Sequence, residues 1–174
     1  MYRKLLTICF LAVNLLAVAQ TRDLANMASG KLVFSSIVYD SNDNLYGYLY
    51  LYEKNVTERN KTMEYILLDK NLNEVSNADF NIDVYKEVFS KYYDCTLMND
   101  YIILNKYYYY INGFTGTSKP LLTTFQIINL KNNAISNDYI YEDGELSNFT
   151  ADFDKMKKEF KERESKFLVS CFSN

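Results

Sequence analysis

Asp40, Asn42 and Asn44 place short polar side chains at i, i+2 and i+4, and Asp69, Asn71 and Asn73 repeat the spacing. That spacing matches the first three ligands of a calcium loop. The match then ends. A calcium loop needs Gly at its sixth position, where Leu45 and Glu74 stand, and a bidentate Glu at its twelfth, where the first segment has Leu51. Asp and Asn bond to nearby amides and tolerate left-handed backbone, so both segments read as hairpin turns. Acid–base chemistry needs two carboxyls facing one substrate. Asp40 with Asp43, and Asp152 with Asp154, are close in sequence only and read as solvated acids. The chain has no His, which excludes a Ser-His-Asp triad, a Cys-His pair and any His-ligated zinc or haem within it. No CxxC pair, glycine-rich phosphate loop or nucleophile elbow is present. The expectation is a non-enzyme without metal or cofactor.

The remaining chemistry is aromatic. There are 17 Tyr and 11 Phe, and Tyr107, Tyr108, Tyr109 and Tyr110 form an uninterrupted run. On a strand such a run sends two rings to each face. It serves either as a platform for a glycan or protein partner or as packing between sheets. The abundance of Asn, Lys, Ile and Tyr also fits the codon bias of an AT-rich genome. A net charge of −3 without a basic patch argues against nucleic acid.

The elements that position these residues begin with an address label. Arg3 and Lys4, the apolar run Leu5 to Leu16, and the small residues Ala17-Val18-Ala19 have the layout of a secretory signal peptide, cleaved between Ala19 and Gln20. The apolar run is shorter than the ~20 residues that span a bilayer, so no transmembrane helix is expected after cleavage. The expected location is exported: periplasmic, outer-membrane-associated or extracellular. Cys95 and Cys171 survive cleavage. Export permits a disulfide between them, and two buried thiols are the alternative. Sequons at Asn55, Asn60 and Asn148 are no more frequent than chance.

After a linker over 20–30, short strands follow one another. Lys31 to Tyr39 is apolar and β-branched, and Leu45 to Tyr52 alternates Tyr with Leu or Gly so that both faces can pack. Strands over Thr62 to Leu68 and Glu74 to about Phe80 complete a first meander, 31–84. A second, 85–147, has strands Tyr92 to Met98, Tyr101 to Ile111, Leu121 to Leu130 and Ala134 to Tyr141, with Asn112 to Pro120 as a loop. At an offset of 60 residues Leu68-Asp69 lies over Ile128-Asn129, Asn73 over Asn133 and Ser76 over Ser136. Phe149, Phe153, Met156 and Phe160 give an amphipathic helix over 148–166, capped by Thr150 or Asp152. Ser165-Lys166-Phe167 with Cys171 echoes Ser90-Lys91-Tyr92 with Cys95, as though 167–174 opened a further unit.

The fold expected is therefore all-β with one C-terminal helix: two tandem four-stranded antiparallel meanders resembling β-propeller blades, in an incomplete propeller. The exported N-terminus, the segment Tyr65-Ile66-Leu67-Leu68-Asp69-Lys70-Asn71-Leu72-Asn73, and Tyr93-Asp94-Cys95 before a long strand resemble large secreted propeller-like proteins of Gram-negative bacteria that carry a domain of unknown function. The resemblance covers residues 31 to 141, implies export and a propeller-like fold, and carries over no catalytic residue. The function expected is a non-catalytic module that binds a protein or glycan and self-associates through open sheet edges. Two alternatives stand beside it. One is the N-terminal fragment of a larger exported hydrolase-type propeller with its active site beyond residue 174, and the other is a defective gene product.

Overall fold

The computed structural model describes residues 29–111, 116–142, 144–149, 152–159 and 161–162. Residues 1–19, expected to be a signal peptide, Cys171 and the strand expected over 167–174 lie outside them.

The first sheet is an antiparallel meander of β1 (Lys31–Tyr39), β2 (Leu45–Val56), β3 (Asn60–Asp69) and β4 (Glu74–Asp83) in that spatial order. Two Asx turns hold its hairpins. The N–H groups of Asn42 and Asn44 donate to Asp40 Oδ1 at 2.8 and 2.9 Å, and those of Asn71 and Asn73 donate to Asp69 Oδ1, both at 2.8 Å. Both carboxylates are thus spent on turn amides, and these bonds hold both below their ordinary range, led by the Asn44 amide for Asp40 and the Asn73 side chain for Asp69. Asp43 and Leu72 take the left-handed positions, with φ of 58° and 67°.

The second sheet contains β5 (Phe89–Met98), β6 (Tyr101–Ile111), β7 (Ser118–Asn129), β9 (Tyr139–Glu142) and β10 (Glu145–Asn148) in the spatial order β10-β9-β7-β6-β5, while the short β8 (Ala134–Ile135) also pairs with β7. Here the structure corrects the sequence reading. The expected fourth strand, Ala134 to Tyr141, is broken at residues 136–138, and the sheet has six strands rather than four. Ser136 causes the break: its Oγ accepts from Ile127 N at 2.8 Å and donates to Asn137 O at 2.7 Å, which takes the chain out of the ladder. A second correction concerns Pro120, expected in a loop and found in β7 opposite Tyr109. A register shift lies between Tyr108 and Tyr109, the kind of irregularity where a residue without N–H is tolerated in a sheet.

One face of each sheet forms the shared core. Leu49, Leu51, Met63, Tyr65, Leu67, Phe80 and Ile82 of the first pack with Tyr92, Cys95, Leu97, Ile102, Leu104 and Ile128 of the second. β1 runs against β5, where Ser36 lies beside the buried Cys95 thiol and the rings of Phe34 and Tyr92 lie 6.2 Å apart. Tyr65 OH and Ser76 Oγ, 2.7 Å apart, both bond to Asn133 across the sheets. Leu68, buried to 1%, stays outside this core and pairs with Tyr48 on the opposite face of the first sheet.

Helix α1 comprises residues 153–159 and 161–162. Asp152 caps it, with its Oδ1 accepting from Lys155 N at 3.0 Å. Phe153 packs with Tyr108 and Val88, and Met156, Leu121 and Leu122 close around them. α1 therefore covers Tyr108 and Leu122 on the second sheet's inner face, outside the shared core.

Candidate functional site: an aromatic cleft around a buried ion pair

β6 alternates strictly: Ile102, Leu104, Lys106, Tyr108 and Tyr110 point inward and are buried, while Ile103, Asn105, Tyr107 and Tyr109 point outward. The alternation carries a lysine inward with the apolar residues, and Lys106 is 1% exposed. A buried ammonium needs a partner. The broken strand supplies one: the loop at 136–138 turns Asp138 inward, and Lys106 Nζ lies 2.7 Å from its carboxylate. Tyr108 OH donates to the second carboxylate oxygen. Phe149 N donates to Asp138 O at 2.9 Å, and Gln126 Nε2 donates to Ser136 O at 3.2 Å, so both flanks of the loop are tied down. Tyr92 OH donates to Gln126 Oε1 at 2.5 Å. The Lys106 ammonium lies 4.9 Å from the Tyr108 ring centroid and 5.6 Å from that of Tyr92, within cation–π range.

This cluster forms the floor of a cleft of about 390 Å³, within the ~300–1,000 Å³ range of small-ligand sites. Its walls are the end of β4 (Asn81, Ile82, Asp83), Tyr85, and the segments carrying Asn137, Asn148 and Phe149. Tyr85 meets Phe153 edge-on at 4.5 Å, and Phe149 lies 5.7 Å from Tyr108, so the aromatic wall is braced from behind by α1. A larger depression of about 520 Å³ lies beside α1. It is walled by charged side chains, with Lys157 paired to Glu87 at 3.7 Å and to Asp154 at 3.2 Å, and it offers no aromatic surface. The Tyr108 cleft is the better candidate.

No family model, curated protein or solved structure matches this chain. The chemistry of the cleft therefore rests on its own geometry.

Burial lowers Lys106 from its ordinary value against the opposing pull of Asp138. Burial, then the Asp138 charge, pushes the phenols of Tyr92 and Tyr108 well above theirs. The sign of the pH dependence follows. A phenol raised in the fold contributes its stability in full below the ordinary tyrosine value of 10.0 and loses it as pH rises further. Each of the two removes about 1.4 kcal/mol per pH unit above that point. Lys106 has the opposite sign, because the penalty for burying its charge fades as pH approaches 10.5. Urea unfolding followed across pH is expected to show stability falling above pH 10, in step with tyrosinate absorbance. A stability that stays level a full unit beyond that value contradicts the assignment.

The tyrosine run separates as the strand period requires. Tyr108 and Tyr110 are buried at 4% and 5%, while Tyr107 and Tyr109 lie half-buried on the outer face. There they stack with Phe89 and Tyr93, at centroid distances of 5.6 Å for Phe89–Tyr109 and 5.9 Å for Tyr93–Tyr107. Tyr108 alone among the four lines the cleft. Cys95 is a buried thiol raised above its ordinary value by burial. No cluster of three or more potential metal ligands occurs among the described residues. Lys106, Gln126 and Asp138 are absent from the sequence-derived candidates. The signal that finds Lys106 is a charged residue at an inward position of a period-two strand, between Leu104 and Tyr108.

Proposed function

We propose that this chain is an exported, non-catalytic recognition module whose two sheets are blade-like units and whose ligand is a carbohydrate held in the Tyr108 cleft. The observation that carries the reading is the cleft's composition. Amides (Asn81, Asn137, Asn148, Gln126) and carboxylates (Asp83, Asp138) stand beside the rings of Tyr85, Tyr108 and Phe149. Hydroxyl-rich ligands with apolar ring faces are bound by such amides and carboxylates together with stacking aromatic faces. A catalytic role has less support, because the Asp138 carboxylate and the Lys106 ammonium are engaged with each other and Tyr108 donates to the same carboxylate.

The blade-like reading draws support from the pairing registers. Rows Ile37–Tyr48–Leu68 and Leu97–Ile102–Ile128 occupy corresponding places in the two sheets, as do rows Ser36–Leu49–Leu67 and Thr96–Ile103–Ile127. The buried face of the first sheet corresponds to the outer face of the second. The sheets thus stack front to back, as successive blades do, rather than front to front.

The test is a glycan panel probed with the purified chain and with Tyr85→Ala and Asn81→Ala. Binding to the panel that falls at least tenfold in both variants, and survives in Tyr107→Ala, supports the cleft. Binding that ignores Tyr85 and Asn81 yet is lost with Tyr107 moves the site to the outer face. Absence of binding to any glycan contradicts the ligand class.

A further inference from the structure

Front-to-back stacking leaves one surface of each kind outside the interface between the two sheets. The back of the first sheet presents Ile37, 48% exposed, and the half-buried Tyr48 and Tyr50, whose β3 neighbours on the same face, Leu68 and Ile66, are 1% and 2% exposed. The corresponding residues on the second sheet are Leu97, Ile102, Leu104, Gln126 and Ile128, all buried against the first sheet or at its margin. The front of the second sheet presents Ile103, Tyr107, Phe125 and Ile127 at intermediate exposure, with Tyr101 at 43% and Met98 at 54%. In the first sheet the places of Ile103 and Ile127 are taken by Leu49 and Leu67, both fully buried. Each of these surfaces therefore corresponds to one half of the interface already inside the molecule. Apolar sheet faces of this extent mark interaction sites.

We infer that these faces dock a second copy of this chain, head to tail, with the back of one molecule's first sheet lying on the front of another's second sheet. The inference rests on the blade-like reading and adds an occupant to it. One chain carries both complementary surfaces, so a copy completes the interface without new chemistry. The contact is heterologous: its two patches are different, and repetition closes a ring or extends a filament. It uses faces, in contrast to association through open strand edges.

A heterologous contact has a signature that an isologous one lacks. Ile37→Lys blocks only the back, at the place of Leu97, and Ile103→Lys blocks only the front, at the place of Leu49. Sedimentation of the wild-type chain is expected to show concentration-dependent association. Each variant alone is expected to remain monomeric, and an equimolar mixture is expected to form a discrete one-to-one complex, because each molecule retains the face that the other lacks. Unfolding curves matching wild type establish that each variant is folded, and the exposed Tyr101→Lys replaces Ile103→Lys if the latter is not. A wild-type chain that is monomeric at all concentrations overturns the inference. Either variant self-associating on its own, or a mixture that stays monomeric, does the same. An engineered disulfide joining Ser36→Cys to the native Cys95 reports the stacking within one molecule. Its formation alongside failure of the mixture refutes the docking and leaves the blade-like reading standing.

Discussion

Asp138→Ala is expected to destabilise the chain by about 3–5 kcal/mol, the range for breaking a buried ion pair from one side. The replacement leaves the Lys106 ammonium, 1% exposed, without its counter-charge and removes the acceptor of the Tyr108 hydroxyl. The two tyrosine rings around Lys106 offset only a small part, on the order of 1–2 kcal/mol for a desolvated cation–π contact. Adding Lys106→Met to Asp138→Ala removes the stranded charge while keeping most of the side-chain volume, so the double variant is expected to recover most of the loss. Urea midpoints of the single and double variants measure both effects. A loss below about 1 kcal/mol for Asp138→Ala alone is the behaviour of a solvent-exposed pair and contradicts the burial of Lys106.

Gly47→Ala is expected to be comparably severe for a different reason. Gly47 pairs with Asp69 where the sheet backbone closes tightly. A Cβ at Gly47 falls 1.9 Å from Leu68 O and 2.9 Å from its carbonyl carbon, both main-chain atoms of the neighbouring strand. No rotamer relieves a clash with backbone, so β2 must move away from β3. Leu49 and Leu51, fully buried two and four residues along, move with it. The loss is expected to be about 4 kcal/mol or more, beyond what the usual surface or turn substitution produces. Thermal unfolding of Gly47→Ala checks this, and a melting temperature within experimental error of wild type refutes the close approach.

Much of the architecture is legible in the sequence because it depends on local chemistry. The Tyr/Leu alternation of β2 predicts two packed faces, and Leu49 and Leu51 are fully buried while Tyr48 and Tyr50 sit half-covered on the other side. The Asp-x-Asn-x-Asn segments predict turns, and each Asp closes its hairpin through two amides. The spacing of Phe153 and Met156 predicts a helix, which Asp152 caps, but it starts at 153 rather than at 148: Asn148 belongs to β10, and Phe149 precedes the helix and packs on Phe153.

The cleft is not legible, because its central pair is a tertiary event. Lys106 and Asp138 lie 32 residues apart, and they meet because Ser136 breaks the strand that a simple hydrophobic reading extends to Tyr141. Lys106 does leave a trace in the pattern of β6, but identifying its partner requires the path of the broken strand. Pro120 departs from its sequence signal for a related reason. Proline signals a loop by itself, yet the register shift opposite Tyr109 gives it a place in the sheet. The tyrosine run is legible as to geometry, with two rings on each side. Which ring lines a ligand cleft depends on where the first sheet and α1 each stop covering the second sheet.

Both the cleft and the docking faces depend on the first sheet's inner face being covered by the second sheet, with β1 against β5. Ser36 faces the buried Cys95 across that interface. The direct measurement is oxidation of Ser36→Cys in a Cys171→Ala background, read by intact mass and non-reducing peptide mapping. Packing of β1 on β5 predicts that the thiol introduced by Ser36→Cys crosslinks to Cys95 under mild oxidant, because the two positions face each other across the interface. Two thiols that remain free and alkylatable in the folded protein would contradict it.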